Sequence, residues 1–201
     1  MLEVENFLDQ NTFDNFLHLA ERVNETPATP CVKTNWYYTT DGIYGVHTRF
    51  SEKKGNFRDT RFSEKKGCRD TRLHPDFEDD LQIEIRLALK SFLENYTSKI
   101  QQVGENLVSP NFNISHIKLE FQYTDVLKSH VKHKHNEDLI GTIYISPKVA
   151  KGTVFFQDET YIVPWKPNKC SFHTKNIFHL FENDTETDKR FTINFFVTSD
   201  N

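Results

Sequence analysis

The stretch HVKHKHNED, residues 130 to 138, places three histidines and two carboxylates within nine residues. In an extended segment alternate side chains share a face. His133, His135 and Glu137 then point one way, while Lys132, Lys134 and Asn136 point the other. Two imidazoles and a carboxylate on one side of an ion make the facial triad of non-haem Fe(II) centres, with the opposite side open for oxygen and a co-substrate. A polar loop of this composition is ordinarily solvated surface, so an ion would need further ligands elsewhere in the chain. His179, in NIFHLFEND, lies 44 residues beyond His135, and Arg190, in KRFTINFF, follows 11 residues later. Arginine offers a planar, two-pronged grip on a carboxylate, and Thr192, on the same strand face, adds a hydroxyl donor. Taken singly, His179 between Phe178 and Leu180 reads as a core histidine and Arg190 as a surface ion pair. Together and in this order they argue for a site.

The elements that must position these residues follow from hydrophobic periodicity. From about residue 114 the period is 2: SHIKLEFQY puts Ile117, Leu119, Phe121 and Tyr123 on one face. LIGTIYIS (139–146), GTVFFQ (152–157), TYIVPW (160–165), KCSFH (169–173) and RFTINFFVT (190–198) continue the series. Short strands at this spacing, separated by Pro and Gly signals, predict an antiparallel sandwich or barrel. Ahead of them the period is helical. Phe13, Phe16, Leu17, Ala20 and Val23 recur along one helix, with Asn11 or Thr12 as the expected N-cap. A second helix opens at Pro75-Asp76, its apolar stripe running through Leu81, Ile85, Leu89, Phe92, Leu93 and Tyr96. Between the helices, NWYYTTDGIYGVHTRF (35–50) predicts a hairpin around Asp41-Gly42. Of its aromatic residues Trp36, Tyr37 and Tyr38, together with Trp165, core packing is the first expectation and a pocket wall the second.

With 201 residues, 36% of them hydrophobic and 18 phenylalanines, the chain can bury a core. The expected division is an N-terminal part, 1–113, of helices, hairpin and loop packed on a β core, 114–201, within one structural domain. No apolar run is long enough to span a membrane. MLEVENFLDQ is acidic where a secretory signal would be basic and then apolar. Cys31, Cys68 and Cys170 are few and widely spaced, as for reduced thiols in a cytoplasmic compartment. The net charge of −4 is uneven: residues 49–72 hold nine Lys/Arg against four acids, leaving 16 basic and 25 acidic residues elsewhere. That basic segment is a tandem duplication, RFSEKKGNFRDT followed by RFSEKKGCRDT. It reads as an exposed loop, with active-site lid and nucleic-acid contact as candidate roles. Its interleaved acids weaken the second.

Across residues 115–197 the chain resembles the Fe(II)- and 2-oxoglutarate-dependent oxygenases of the prolyl-hydroxylase-like type, including short phage versions. The residues that carry the resemblance are the strand ending in Tyr123, the His-rich loop before LIGTIYIS, KGTVFF, VPWKPNKCSF, His179 and the RFT of 190–192. The fold it implies is mainly β with flanking helices, a double-stranded β-helix or cupin-like jelly roll. It implies His179 as distal iron ligand, Arg190 as the grip on the distal carboxylate of 2-oxoglutarate with Thr192 assisting, and Tyr123 as a hydroxyl donor to the same co-substrate. The proximal pair departs from the family pattern. The literal H-x-D/E is His135-Asn136-Glu137 and is placed first. Counting back from Tyr144 favours His133 with His135, a three-histidine site, and Asp138 is a third candidate. The activity implied couples decarboxylation of 2-oxoglutarate to succinate with O₂-dependent oxidation of a peptide, nucleobase or small molecule. Its cofactors are Fe(II), 2-oxoglutarate and O₂, with ascorbate as a candidate auxiliary reductant. The alternatives are an inactive double-stranded β-helix that binds metal or ligand, and an interaction module working through the basic loop.

Overall fold

The computed structural model describes residues 1–25, 31–39, 42–51, 80–124, 132–181 and 190–200, with the backbone alone described over 31–51 and at 24, 82, 123 and 124. After a short β1 (Leu2–Val4) comes α1 (Gln10–Glu25). Its N-cap is Asp9, ahead of the expected Asn11 or Thr12. Asp9 Oδ1 accepts the Thr12 N–H at 2.9 Å and Oδ2 accepts the Thr12 hydroxyl at 2.8 Å. Asp is among the strongest N-caps, and its charge also suits the positive end of the helix. Asp9 also accepts the Tyr96 hydroxyl, which joins α1 to α2 (Asp80–Leu107). The predicted helix start at Pro75-Asp76 and the basic repeat beyond Ser51 lie outside the described residues. The hairpin is present as β2 (Cys31–Thr39) antiparallel to β3 (Gly42–Ser51).

Seven further strands follow: β4 (Ile114–Thr124), β5 (Leu139–Ser146), β6 (Thr153–Phe156), β7 (Thr160–Val163), β8 (Cys170–Thr174), β9 (Phe178–Phe181) and β10 (Arg190–Ser199). They form a five-stranded sheet in the order β1-β8-β5-β10-β4 and a three-stranded sheet β7-β6-β9, with every pairing antiparallel. The sheets face each other through the Tyr144 hydroxyl on Thr153 Oγ1 at 2.8 Å and the Phe155 ring against His173 at 5.1 Å. This is the double-stranded β-helix that the resemblance implies. The terse LEV and FHLF segments of β1 and β9 show no period of their own, and both form by pairing with longer neighbours.

The five-stranded sheet has two unlike faces. Ile117, Leu119 and Phe121 of β4, Ile143 and Ile145 of β5, Phe172 of β8, and Phe191, Ile193, Phe195 and Val197 of β10 form one core with Phe16, Leu19 and Val23 of α1 and Ile85, Leu89, Phe92 and Tyr96 of α2. Gly141 sits opposite Phe195, whose ring occupies the space a Cβ would need. The alternate positions turn toward the three-stranded sheet: Glu120, Tyr144, Ser171, His173, Arg190, Thr192 and Asn194, all buried. Burying so many polar groups on one face calls for partners, and that face holds the candidate site. Among the described residues no helix is long and apolar enough to cross a membrane. Cys170 is a free, fully buried thiol in the helix-facing core.

Candidate metal centre

Residues 132–135 run beside β9 and extend the three-stranded sheet by one bridge. The His133 N–H donates to the His179 carbonyl at 3.1 Å and the His179 N–H to the His133 carbonyl at 2.9 Å. Residues that exchange both bonds stand directly opposite and project to the same side. His135 joins them by the two-residue alternation, and the Asn176 N–H fixes its carbonyl at 3.1 Å. Lys132 and Lys134 turn outward over the Phe156 and Phe178 rings. As a result, one donor nitrogen from each of His133, His135 and His179 lies within 4.8 Å of the others.

The two carboxylates of the loop stand outside this set. The chain bends at 137–138, and Glu137 Oε2 lies 4.0 Å from His135 Nδ1 while accepting the Asn136 N–H at 3.2 Å. Asp138 is a latch. Its Oδ2 accepts the Ser199 N–H and hydroxyl at 3.0 and 3.1 Å, and its Oδ1 accepts Lys175 Nζ at 2.9 Å. The extended pairing that brings His133 opposite His179 ends before Glu137, so alternation no longer governs where that carboxylate goes.

A fourth imidazole, His173, was not anticipated. It is 2% exposed on β8, its ring 4.7 Å from that of His179 and its Nδ1 3.1 Å from the Thr174 carbonyl. The alternation of KCSFH places it on the Ser171 face, but nothing in the sequence says that this face meets the other sheet.

Burial, and then the neighbouring imidazoles, pull His179 down to about 2 and His135 to about 4. Burial likewise lowers His173 to about 4, against the pull of the Thr174 carbonyl. All three are neutral at pH 7, the form in which imidazole binds metal. The same shifts make a stability prediction for the metal-free protein. Unfolded, these side chains titrate near 6.5, so below that pH the unfolded chain binds more protons than the folded one and stability falls. The urea midpoint is expected to hold between pH 8 and 7 and to fall steadily from about pH 6.5 to 4. An unchanged midpoint at pH 5 would mean that the imidazoles are hydrated in the folded protein.

The three histidines open on a cavity of about 140 Å³ whose other polar walls include Glu120 and Gln122 of β4 and Asn194 of β10. Glu120 is 4% exposed and paired with Lys118 at 2.8 Å. Thr192 and Arg190 continue the Asn194 face along β10, roughly 7 and 14 Å further on at the usual strand rise. Arg190 is 3% exposed, with its guanidinium 5.9 Å from the Trp165 ring. Trp165 donates its indole N–H to the Pro147 carbonyl at 2.7 Å and packs on Tyr144 at 4.7 Å. Burial pushes the Tyr144 hydroxyl up to about 12, so it stays protonated beside Thr153 and Ser171. Tyr123 takes the β4 position opposite Phe191, and its side chain is not described; Gln122 lies opposite Thr192. The candidate pocket residues Trp36, Tyr37 and Tyr38 have no described side chains.

No protein-family model matches the sequence, and no curated protein matches it. Solved structures do match the fold. An oxidoreductase of the 2OG-Fe(II) oxygenase family from Burkholderia pseudomallei superposes with a TM-score of 0.55 at 9% identity, covering 100% of this chain and 85% of that one. A Pseudomonas putida prolyl-4-hydroxylase gives 0.52 at 8% identity, covering 100% and 92%. The non-heme alpha-ketoglutarate-dependent epimerase SnoN from nogalamycin biosynthesis gives 0.51 at 12% identity, covering 98% and 77%. At these identities the likeness is one of fold.

Proposed function

We propose, from the double-stranded β-helix shared with these oxygenases, that the chain is an Fe(II)- and 2-oxoglutarate-dependent dioxygenase whose outcome is hydroxylation. The observation that carries this is the convergence of His133, His135 and His179 on one cavity, with the buried Arg190 further along the β10 face that Asn194 presents to that cavity. The donor set fits the ion: imidazole suits iron among the first-row metals, and three imidazole rings leave positions on the ion for other ligands. When bound, Fe(II) with 2-oxoglutarate and O₂ supplies oxidative decarboxylation to succinate and oxidation of the substrate.

The chain's own residues do the rest. His133, His135 and His179 hold the ion, with Glu137 close enough to His135 to orient its ring once the protein is loaded. Arg190 grips the distal carboxylate of the co-substrate, and Thr192 donates its hydroxyl proton to the same group. Trp165 and Tyr144 wall that end, and Phe196 keeps water from the metal end. Succinate formation from 2-oxoglutarate, with Fe(II) and ascorbate and no added substrate, tests this. Turnover that disappears in His179→Ala is the expected result.

The absence of a carboxylate from the ligand trio favours a second reading, a metal-binding protein without turnover. Tight Fe(II) binding with no affinity for 2-oxoglutarate would select it.

A further inference from the structure

Asn194 stands on β10 between the metal histidines and the Thr192–Arg190 end of the site. It is 6% exposed and lines the cavity with all three histidines. Its Nδ2 donates to Gln122 Oε1 at 2.8 Å and to Thr192 Oγ1 at 3.2 Å. An amide nitrogen has two hydrogens, so both are committed. The β10–β4 register puts Glu120 directly across from Asn194 and Gln122 across from Thr192. Asn194 therefore reaches diagonally, past a Glu120 already held by Lys118, to the partner of Thr192. Diagonal contacts of this kind are within range of long side chains across an antiparallel pair.

The chain Gln122–Asn194–Thr192 has a direction. A hydroxyl that accepts from an amide N–H keeps its own proton turned away from that amide. The next group along the same strand face is Arg190. A hydroxyl free to rotate would satisfy itself on any nearby acceptor; one that accepts from Asn194 is left as a donor with a fixed aim. We propose that Asn194, backed by Gln122, is a positioning residue that makes Thr192 a dedicated hydrogen-bond donor to the distal carboxylate of the co-substrate at Arg190. This rests on the proposed function, and it assigns a role to two residues outside the recognised motif. A merely structural network would pin β4 to β10 and affect stability, without acting through Thr192.

The test is calorimetric titration of 2-oxoglutarate into the Mn(II)-loaded protein without oxygen, so that affinity is read apart from turnover. Asn194→Leu is expected to weaken binding about tenfold, the effect of one hydrogen bond to a charged group. Asn194→Asp keeps the shape but accepts the Thr192 proton instead of donating, and is expected to weaken binding further. It also serves where the leucine variant does not fold. In a Thr192→Ala background the leucine change should alter affinity less than about twofold, and the aspartate change should cost clearly less than it does with Thr192 present, its remainder being charge repulsion of the co-substrate. Mn(II) affinity should be constant in Asn194→Leu and Thr192→Ala; Asn194→Asp places a carboxylate on the metal cavity and is therefore compared at saturating Mn(II). Equal losses with and without Thr192, or no loss at all, overturn the positioning role while leaving the co-substrate reading intact. A wild-type protein that binds Mn(II) but not 2-oxoglutarate overturns both.

Discussion

His179→Ala is expected to lower divalent-metal affinity by well over about 100-fold, beyond the loss typical when only a supporting group of a ligand is removed. Glu137→Ala should leave it within about threefold. The contrast follows from geometry. His179 is the buried member of the trio and the one that joins the two segments carrying it, since His133 pairs with it directly. Without its imidazole two half-buried rings remain on one segment, too few for an ion that keeps sites open for co-substrate and oxygen. Glu137 lies beyond the bend, bonded to its own loop. The His133–His179 bridge is made by main-chain atoms, so alanine keeps it and the fold is expected to survive. Competition against a chromophoric chelator measures the affinities. Should Glu137→Ala abolish binding while His133→Ala spares it, the ligand set would be His135, Glu137 and His179.

The second large effect belongs to Arg190. Arg190→Ala should raise the 2-oxoglutarate concentration needed for half-saturation by roughly 30- to 150-fold, with metal binding intact. That range corresponds to a charge-assisted hydrogen bond of about 2–3 kcal/mol in a buried site. A guanidinium 3% exposed and packed toward Trp165 has lost most of its hydration. Lysine should rescue only in part, because a point charge cannot make the two parallel bonds of the planar fork. A variant with unchanged co-substrate affinity would remove Arg190 from the site.

Apolar or β-branched runs between Pro and Gly signals made β5, β6, β7 and β8 legible, and a period of 2 made β4 and β10 legible. Their apolar phase also indicated which face the helices cover: Ile117, Leu119 and Phe121 all lie in that core. β9 was not legible as a strand, although β6 and β7 are equally short: the NIFHLFEND segment lacks the Gly and Pro signals that bound GTVFFQ and TYIVPW, and only its histidine was singled out. The site was half legible. His179, Arg190 and Thr192 were singled out as candidates by their order along the chain. Which partners complete them depends on where the loop stops pairing, and that is decided by the bridge to β9 rather than by any local preference. Glu120, Gln122, His173 and Asn194 escaped for another reason. A polar residue alternating with apolar ones usually faces water, and only the covering of that face by a second sheet turns these residues inward.

The order β1-β8-β5-β10-β4 places the last of the described strands in the middle of its sheet. During synthesis on the ribosome, β4 and β5 therefore emerge with the edges they will offer to β10 still bare. Pairing across the site must wait until residues 190–199 arrive. Neither the helix-covered core nor the cavity beside the histidines can close before then, because β10 supplies alternate side chains to both. Unpaired edges held open in this way are templates for other chains. A nascent chain stalled anywhere between β5 and β10 is therefore the species most in need of chaperone cover.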